Sequence, residues 1–118
     1  MVESFLDILK REFTAEDGSF LIQLRPNLNW NKEAFSKLVT AMEACCKACE
    51  KQESLERWLV EGFWWMSWFV KDWTTHPSFP RPQPPEYHEN ALKRLEDLAY
   101  WFFSGCSPYE DGHGFDPL

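Results

Sequence analysis

Apolar residues recur along much of the chain at the three- and four-residue spacing of an amphipathic helix. The first such stretch covers residues 3–13 and predicts a helix, which a turn at residues 14–19 should follow, with Gly18 as the breaker. Residues 20–25 alternate in a way that also fits a strand, and the stretch closes at Pro26. Because a lone strand would leave its backbone groups unpaired, we predict an extended or irregular segment there.

The clearest amphipathic pattern covers residues 31–51 and predicts the second helix. Asn29 or Asn31 can cap its N-terminus, and Glu33 lies near the positive end of the helix dipole. Its apolar positions are Phe35, Leu38, Val39, Met42, Cys45 or Cys46, and Cys49. Since many of its inward side chains are small, a neighbouring helix can approach closely and must supply the bulk.

Residues 54–75 supply that bulk and predict a third, Trp-rich helix, with Ser54 as its N-cap. Between Trp58 and Val70 only Glu61 and Ser67 are polar. A helix that is apolar on every side is buried or presents one side for docking, so we expect this helix to be the central one. His76–Pro77 should end it, because the residue before a proline avoids the α region.

Five prolines in residues 77–85 predict a stiff connector to the fourth helix, over residues 86–104. Pro85 suits the first turn of that helix and Gly105 suits its end. Residues 106–118 form an acidic C-terminal tail. We therefore predict a single all-α domain over residues 1–118, a four-helix bundle-like fold with a Trp-rich central helix and a proline-rich connector before the last helix.

Net charge and composition limit the classes of partner that the protein can bind. The chain of 118 residues carries 12 basic and 19 acidic side chains, a formal charge of −7, which repels phosphate backbones and attracts basic proteins. An aromatic content of 17% argues against disorder. The apolar stretch at 58–70 falls short of the roughly 20 residues that cross a bilayer, and no secretory signal is evident. We expect a protein partner, no nucleic acid and no membrane.

Candidate catalytic motifs are sparse. Cys46 and Cys49 form a CxxC in mid-helix, away from the N-terminal position that activates a thiolate. The ExxE spacings within 50–56 and 86–89 are those of metal-binding helices, but no matching carboxylate pair is evident on a neighbouring helix. We expect no cofactor, no metal and no catalytic residues. The three cysteines of one helix are poorly placed to pair, which favours reduced thiols and a cytoplasmic location.

The aromatic surface is the remaining candidate site. Trp, Tyr and Phe anchor many protein interfaces, and positions 64, 68 and 71 share one face of the third helix. We predict Trp64, Trp68 and Tyr109 as apolar anchors of a partner-binding site. Its predicted acidic contacts are Glu86, Glu89, Glu110, Asp111 and Asp116.

In size, acidity and lack of catalytic motifs, the whole chain resembles small acidic inhibitor proteins such as bacterial toxin-immunity proteins. We therefore expect a non-enzymatic protein-binding module, of an inhibitor or immunity type, that neutralises a basic partner such as a toxin. Two alternatives stay open: a metal-dependent all-α hydrolase that uses helical carboxylates, and a homo-oligomer whose Trp face packs against itself.

Overall fold

Five α-helices form in residues 4–108, the part of the chain that the computed structural model describes. They are α1 Phe5–Phe13, α2 Phe20–Asn27, α3 Lys32–Cys49, α4 Arg57–Thr74 and α5 Pro85–Ser104. The predicted all-α class is confirmed, since these residues contain no strand. Helix α3 packs against α1 and α5, and α5 packs against α4 on its other side.

Helix α2 corrects the prediction of an extended or irregular segment at residues 20–26, and it brings the number of helices within residues 4–108 to five instead of four. Ser19 Oγ accepts the Ile22 N–H at 3.3 Å, and the Glu12 carboxylate accepts the Phe20 N–H at 2.8 Å. Two N–H groups of the first turn, which have no partner within the helix, are thereby satisfied. These contacts explain how so short a segment becomes helical.

The end of α2 has a clear local cause. Pro26 lies in the last turn, where it lacks the N–H that would donate to the carbonyl one turn earlier. Leu28 then takes the left-handed conformation, with φ of 51°, and its N–H donates to the Gln23 carbonyl. The side chains of Phe20 and Leu24 are fully buried one turn apart, which attaches α2 to the core.

Of the two predicted caps of α3, Asn29 and Asn31, the structure uses Asn31, whose side chain accepts the Ala34 N–H at 3.0 Å. The small residues of α3 let α5 come close, and the Cys46 thiol lies 3.4 Å from the Leu98 carbonyl oxygen. All four cysteines are free thiols; Cys45 and Cys46 are buried, whereas Cys106 is exposed.

Helix α4 begins three residues later than predicted. Ser54 is not its N-cap; Glu56 holds that position without a side-chain cap, and its carboxylate instead accepts the Trp58 indole N–H at 2.6 Å. The buried side of α4 consists of Leu59, Gly62, Phe63, Met66, Phe69, Val70 and Thr74. Within the described residues, no helix combines the length and apolarity needed to cross a membrane.

Helix α5 runs antiparallel to α4, as three contacts spaced along the pair show. The Phe63 and Phe102 rings stack at 4.1 Å, Lys71 Nζ lies 3.2 Å from Glu96 Oε1, and Thr74 Oγ1 lies 2.8 Å from the Nε2 atom of His88. Pro85 occupies the first turn and Gly105 ends the helix with φ of 77°, both as predicted. Residues of the two helices also line a groove between them.

Candidate functional site

Two tryptophans on the outer side of α4 form the most prominent exposed aromatic feature of residues 4–108. Trp64 and Trp68 are 50% and 48% exposed. They lie one helical turn apart, and their rings stack with centroids 5.6 Å apart and planes within 3° of parallel. Ordinary folding buries such large rings, so a paired, solvent-facing stack is a surface suited to an anchor of a protein interface.

The exposed stack is supported by a second layer of aromatic rings along α4. Trp65 lies 5.6 Å from Trp68 and stacks on Phe69 at 4.9 Å, and Phe69 stacks on Trp73 at 5.7 Å. The guanidinium of Arg25 from α2 lies 5.4 Å from the Phe69 ring centroid, a cation–π contact. The exposed rings therefore sit on an ordered base, which lowers the entropy lost on binding.

A groove of about 550 Å³ runs beside the stack, between α4 and α5. Trp64 and Trp68 line one side, and Ala99 and Glu96 line the other. The ion pair of Lys71 with Glu96 crosses the groove at 3.2 Å. The groove thus combines apolar walls with a few charged groups.

Helix α5 adds two exposed aromatic side chains to this side of the molecule. Tyr100 is 57% and Phe103 is 46% exposed. Both lie on the same helical face as Glu96, four and seven residues further along α5. We call Trp64, Trp68, Tyr100 and Phe103 the aromatic face.

A second cleft, of about 340 Å³, opens at the end of α4. Leu28, Trp73 and Phe79 form its apolar walls, and Asp72 and His76 contribute polar groups. Trp73 is fixed by its indole N–H, which donates to the Leu24 carbonyl at 3.2 Å. This cleft and the groove share one lining residue, Asp72.

The structure separates two of the predicted acidic contacts from the tryptophans. Glu86 and Glu89 are exposed in the first turns of α5, next to the α4 end where Thr74 contacts His88. Trp64 lies ten residues before Thr74, which corresponds to about 15 Å along the helix. Tyr109, Glu110, Asp111 and Asp116 lie outside the described residues.

Asp72 and Glu96 are the acids that line the groove, and the sequence analysis missed both. Asp72 follows Trp68 by four residues, so the helical spacing alone places them on one side of α4. Glu96 comes to the groove only through the packing of α5 on α4. The spacing that places Asp72 beside Trp68 is visible in the sequence, whereas the position of Glu96 depends on the tertiary structure.

The described acids give no support to a metal centre. The glutamates at 50–56 and 86–89 are exposed, and residues 4–108 contain no group of three or more His, Cys, Asp or Glu side chains placed to hold a metal ion. The buried thiols are poor nucleophiles: burial, with the nearby Cys49, raises the pKa of Cys45 to about 12. Burial likewise raises the pKa of Cys46.

Two buried titratable groups connect helices instead of facing the groove. Burial raises the pKa of Glu12, which accepts a hydrogen bond from the α2 backbone. Burial also lowers the pKa of His88, and the positive charge of Arg81 adds to that effect. His88 joins α5 to α4 through Thr74.

No family model, curated protein or solved structure matches this chain.

Proposed function

We propose that this protein is a non-enzymatic binding module that captures a basic partner protein on its aromatic face. The observation that carries the proposal is the parallel stack of Trp64 and Trp68, each about half exposed. Burying these rings under a partner removes a large apolar area from water and supplies the kind of anchor that dominates interface energies.

Charge favours a basic partner. The formal net charge of −7 attracts positively charged proteins over the Debye length and accelerates their encounter. Asp72 carries this sign to the groove beside the tryptophans, where Glu96 is paired with Lys71. An inhibitor of the immunity type, which covers the basic active cleft of a toxin, combines these two features.

The test is affinity capture from the source cells, followed by a salt series on the retained protein. Trp64→Ala/Trp68→Ala should lose a basic protein that the wild type retains. Leu6→Ala is the matched control, because Leu6 is a 43% exposed apolar residue on α1. We expect Leu6→Ala to behave as the wild type and binding to weaken with added salt.

Retention of the same protein by the double tryptophan variant would contradict the proposal. Binding that depends on the tryptophans but ignores salt would remove its electrostatic part. The captured protein should be expressed alone and its affinity for each variant measured, so that indirect retention is detected.

A homo-oligomer is the second candidate, since an exposed aromatic stack also suits a second copy of the chain. Sedimentation at micromolar concentration separates the two. A dimer that Trp64→Ala/Trp68→Ala converts to a monomer supports self-association through this face, and a wild-type monomer supports the hetero-partner.

A further inference from the structure

Asp72 stands where the two clefts meet. It lines the groove that contains Trp64 and Trp68, and it also lines the cleft formed by Leu28, Trp73 and Phe79. Its carboxylate has no hydrogen-bond or ion-pair partner among residues 4–108, although the adjacent Lys71 is paired with Glu96. An unneutralised negative charge therefore lies between two apolar surfaces.

The cleft beyond Asp72 is formed by side chains whose positions are fixed. Trp73 donates its indole N–H to the Leu24 carbonyl and stacks on Phe69. Phe79 is buried, and its backbone N–H donates to the His76 carbonyl at 3.0 Å. At about 340 Å³ the cleft lies at the small end of the range for ligand pockets, a size that suits a single side chain.

His76 lines the edge of this cleft. Its Nδ1 accepts the Ser78 N–H at 3.1 Å, so the proton of the neutral ring is on Nε2. Asp72, on the same rim of the cleft, carries a carboxylate that can pair with a cation. One turn earlier on α4 lies the exposed ring of Trp68. A cationic side chain can lay its alkyl stem on that ring and bring its charge to the carboxylate.

We propose that Asp72 and the adjoining cleft recognise one element of the basic partner: an arginine or lysine next to an apolar side chain. The cation pairs with the Asp72 carboxylate, and the apolar side chain enters between Leu28, Trp73 and Phe79. This inference rests on the proposed function, because it extends the aromatic face across Asp72 to a second contact. An apolar partner here would desolvate the carboxylate without replacing its hydrogen bonds, a neutral polar one would offer hydrogen bonds without an opposite charge, and an acidic one would be repelled.

Capped dipeptides test this without the partner. Acetyl-Phe-Arg-amide, acetyl-Phe-citrulline-amide and acetyl-Phe-Glu-amide share the ring and differ in charge. In titrations of the full, isotope-labelled chain, we expect the arginine peptide to shift the Leu28, Trp73 and Phe79 signals. It should bind about two- to five-fold more tightly than the neutral citrulline peptide, the usual range for an exposed ion pair, and the glutamate peptide should bind most weakly.

Two variants and one control separate the contacts. Asp72→Asn should remove the preference for arginine over citrulline, whereas Asp17→Asn, an exposed aspartate in the turn before α2, should preserve it. Leu28→Asn introduces a residue type that tolerates the positive φ of this position, and it should weaken the binding of the arginine and citrulline peptides equally. Melting temperatures of all variants show whether each is folded.

Equal binding of the arginine and citrulline peptides to the wild type would overturn the role of Asp72, as would a preference that survives Asp72→Asn. Signals that shift only outside the cleft, or no shift with any peptide, would overturn the site. None of these results would change the outcome of the capture experiment, which tests Trp64 and Trp68. Loss of capture dependence on those tryptophans, with an intact arginine preference, would instead refute the proposed function alone.

Discussion

The ring of Phe13 fills the space that a Cβ atom at Gly62 would occupy. This contact brings α1 against α4, and the same ring meets Phe63 and Trp58 edge-on at centroid distances of 5.9 and 6.2 Å. Glycine inside a helix is ordinarily unfavourable, by about 1 kcal/mol relative to alanine. Glycine is required at position 62 despite that cost, because any side chain there would collide with the Phe13 ring.

Gly62→Ala should therefore destabilise the protein despite the better helix propensity of alanine. Overpacking of a well-filled site typically costs about 1–3 kcal/mol, which outweighs the gain in propensity. Urea denaturation measures the change. Phe13→Leu in the same chain should reduce the cost of Gly62→Ala, and strict additivity of the two changes would refute the steric explanation.

The protonation of His88 should contribute to the pH dependence of the free energy of unfolding. Its Nε2 lies 2.8 Å from Thr74 Oγ1, whose own proton is donated to the Val70 carbonyl at 2.7 Å, so the imidazole is the donor. Burial lowers the pKa of His88 in the folded state, so the unfolded chain binds the proton first as pH falls. The stabilising contribution is present above the ordinary histidine pKa of about 6.5 and is lost as pH falls through the folded pKa.

The measurement is the free energy of unfolding between about pH 7.5 and pH 5.5, a window around the ordinary histidine pKa. His88→Gln should flatten the decrease of this free energy on acidification, because it removes the buried imidazole. An unchanged slope in His88→Gln would assign the pH dependence to other groups.

Glu12 is expected to show the opposite sign. Burial raises its pKa in the folded state, so the protonated form is favoured there and its stabilising contribution is lost as pH rises through the folded pKa. Glu12→Gln retains an oxygen acceptor for the Phe20 N–H without a buried charge, and it should be more stable than the wild type at pH 7. The difference should shrink towards pH 4, where the wild-type carboxyl is increasingly protonated.

Glu12→Ala provides the contrast at the same position. It removes the acceptor and leaves the Phe20 N–H without its partner, which typically costs about 1–3 kcal/mol. If Glu12→Gln proves as destabilising as Glu12→Ala at pH 7, the ionised carboxylate itself is required at this helix N-terminus.

The cysteines should differ sharply in reactivity. Cys106 is exposed, whereas Cys45 and Cys46 are buried with raised pKa values. A thiol-reactive disulfide reagent at pH 8 should modify Cys106 first and reach Cys45 and Cys46 only after denaturation. Cys106→Ser should abolish the fastest phase; persistence of that phase would show that a helical thiol is accessible.

Local signals explain which parts of the fold were predictable. Pro85 in a first turn and Gly105 at a helix end each depend on neighbouring residues, and both were predicted correctly; the cap at Asn31 was one of the two that the sequence allowed. Residues 20–27 were not, because a short stretch with Phe20 and Leu24 apolar fits a period of two as well as one helical turn. What decides the outcome is the Glu12 carboxylate, eight residues away from Phe20.

In the candidate site, too, some residues were predictable from local sequence spacing and others were not. Helical spacing placed Trp64 and Trp68 on one face, and their exposure follows from the packing of the opposite side of α4. Glu96 meets Lys71 across 25 residues of sequence, so no local pattern indicates it. Charged residues of the groove come from different helices, and only the packing of α4 on α5 brings them together.

The last prediction asks whether the Trp64–Trp68 stack serves folding or binding. Both rings are about half exposed, so Trp64→Ala/Trp68→Ala forfeits their mutual stacking and part of their burial, and we expect a loss of only about 1–2 kcal/mol in unfolding free energy. Phe63→Ala, which removes a fully buried ring stacked on Phe102, should cost about 3–5 kcal/mol. If the double tryptophan variant loses as much as Phe63→Ala, the stack is part of the core and the binding proposal loses its main support. If the variant stays folded while partner capture disappears, the two rings act in recognition.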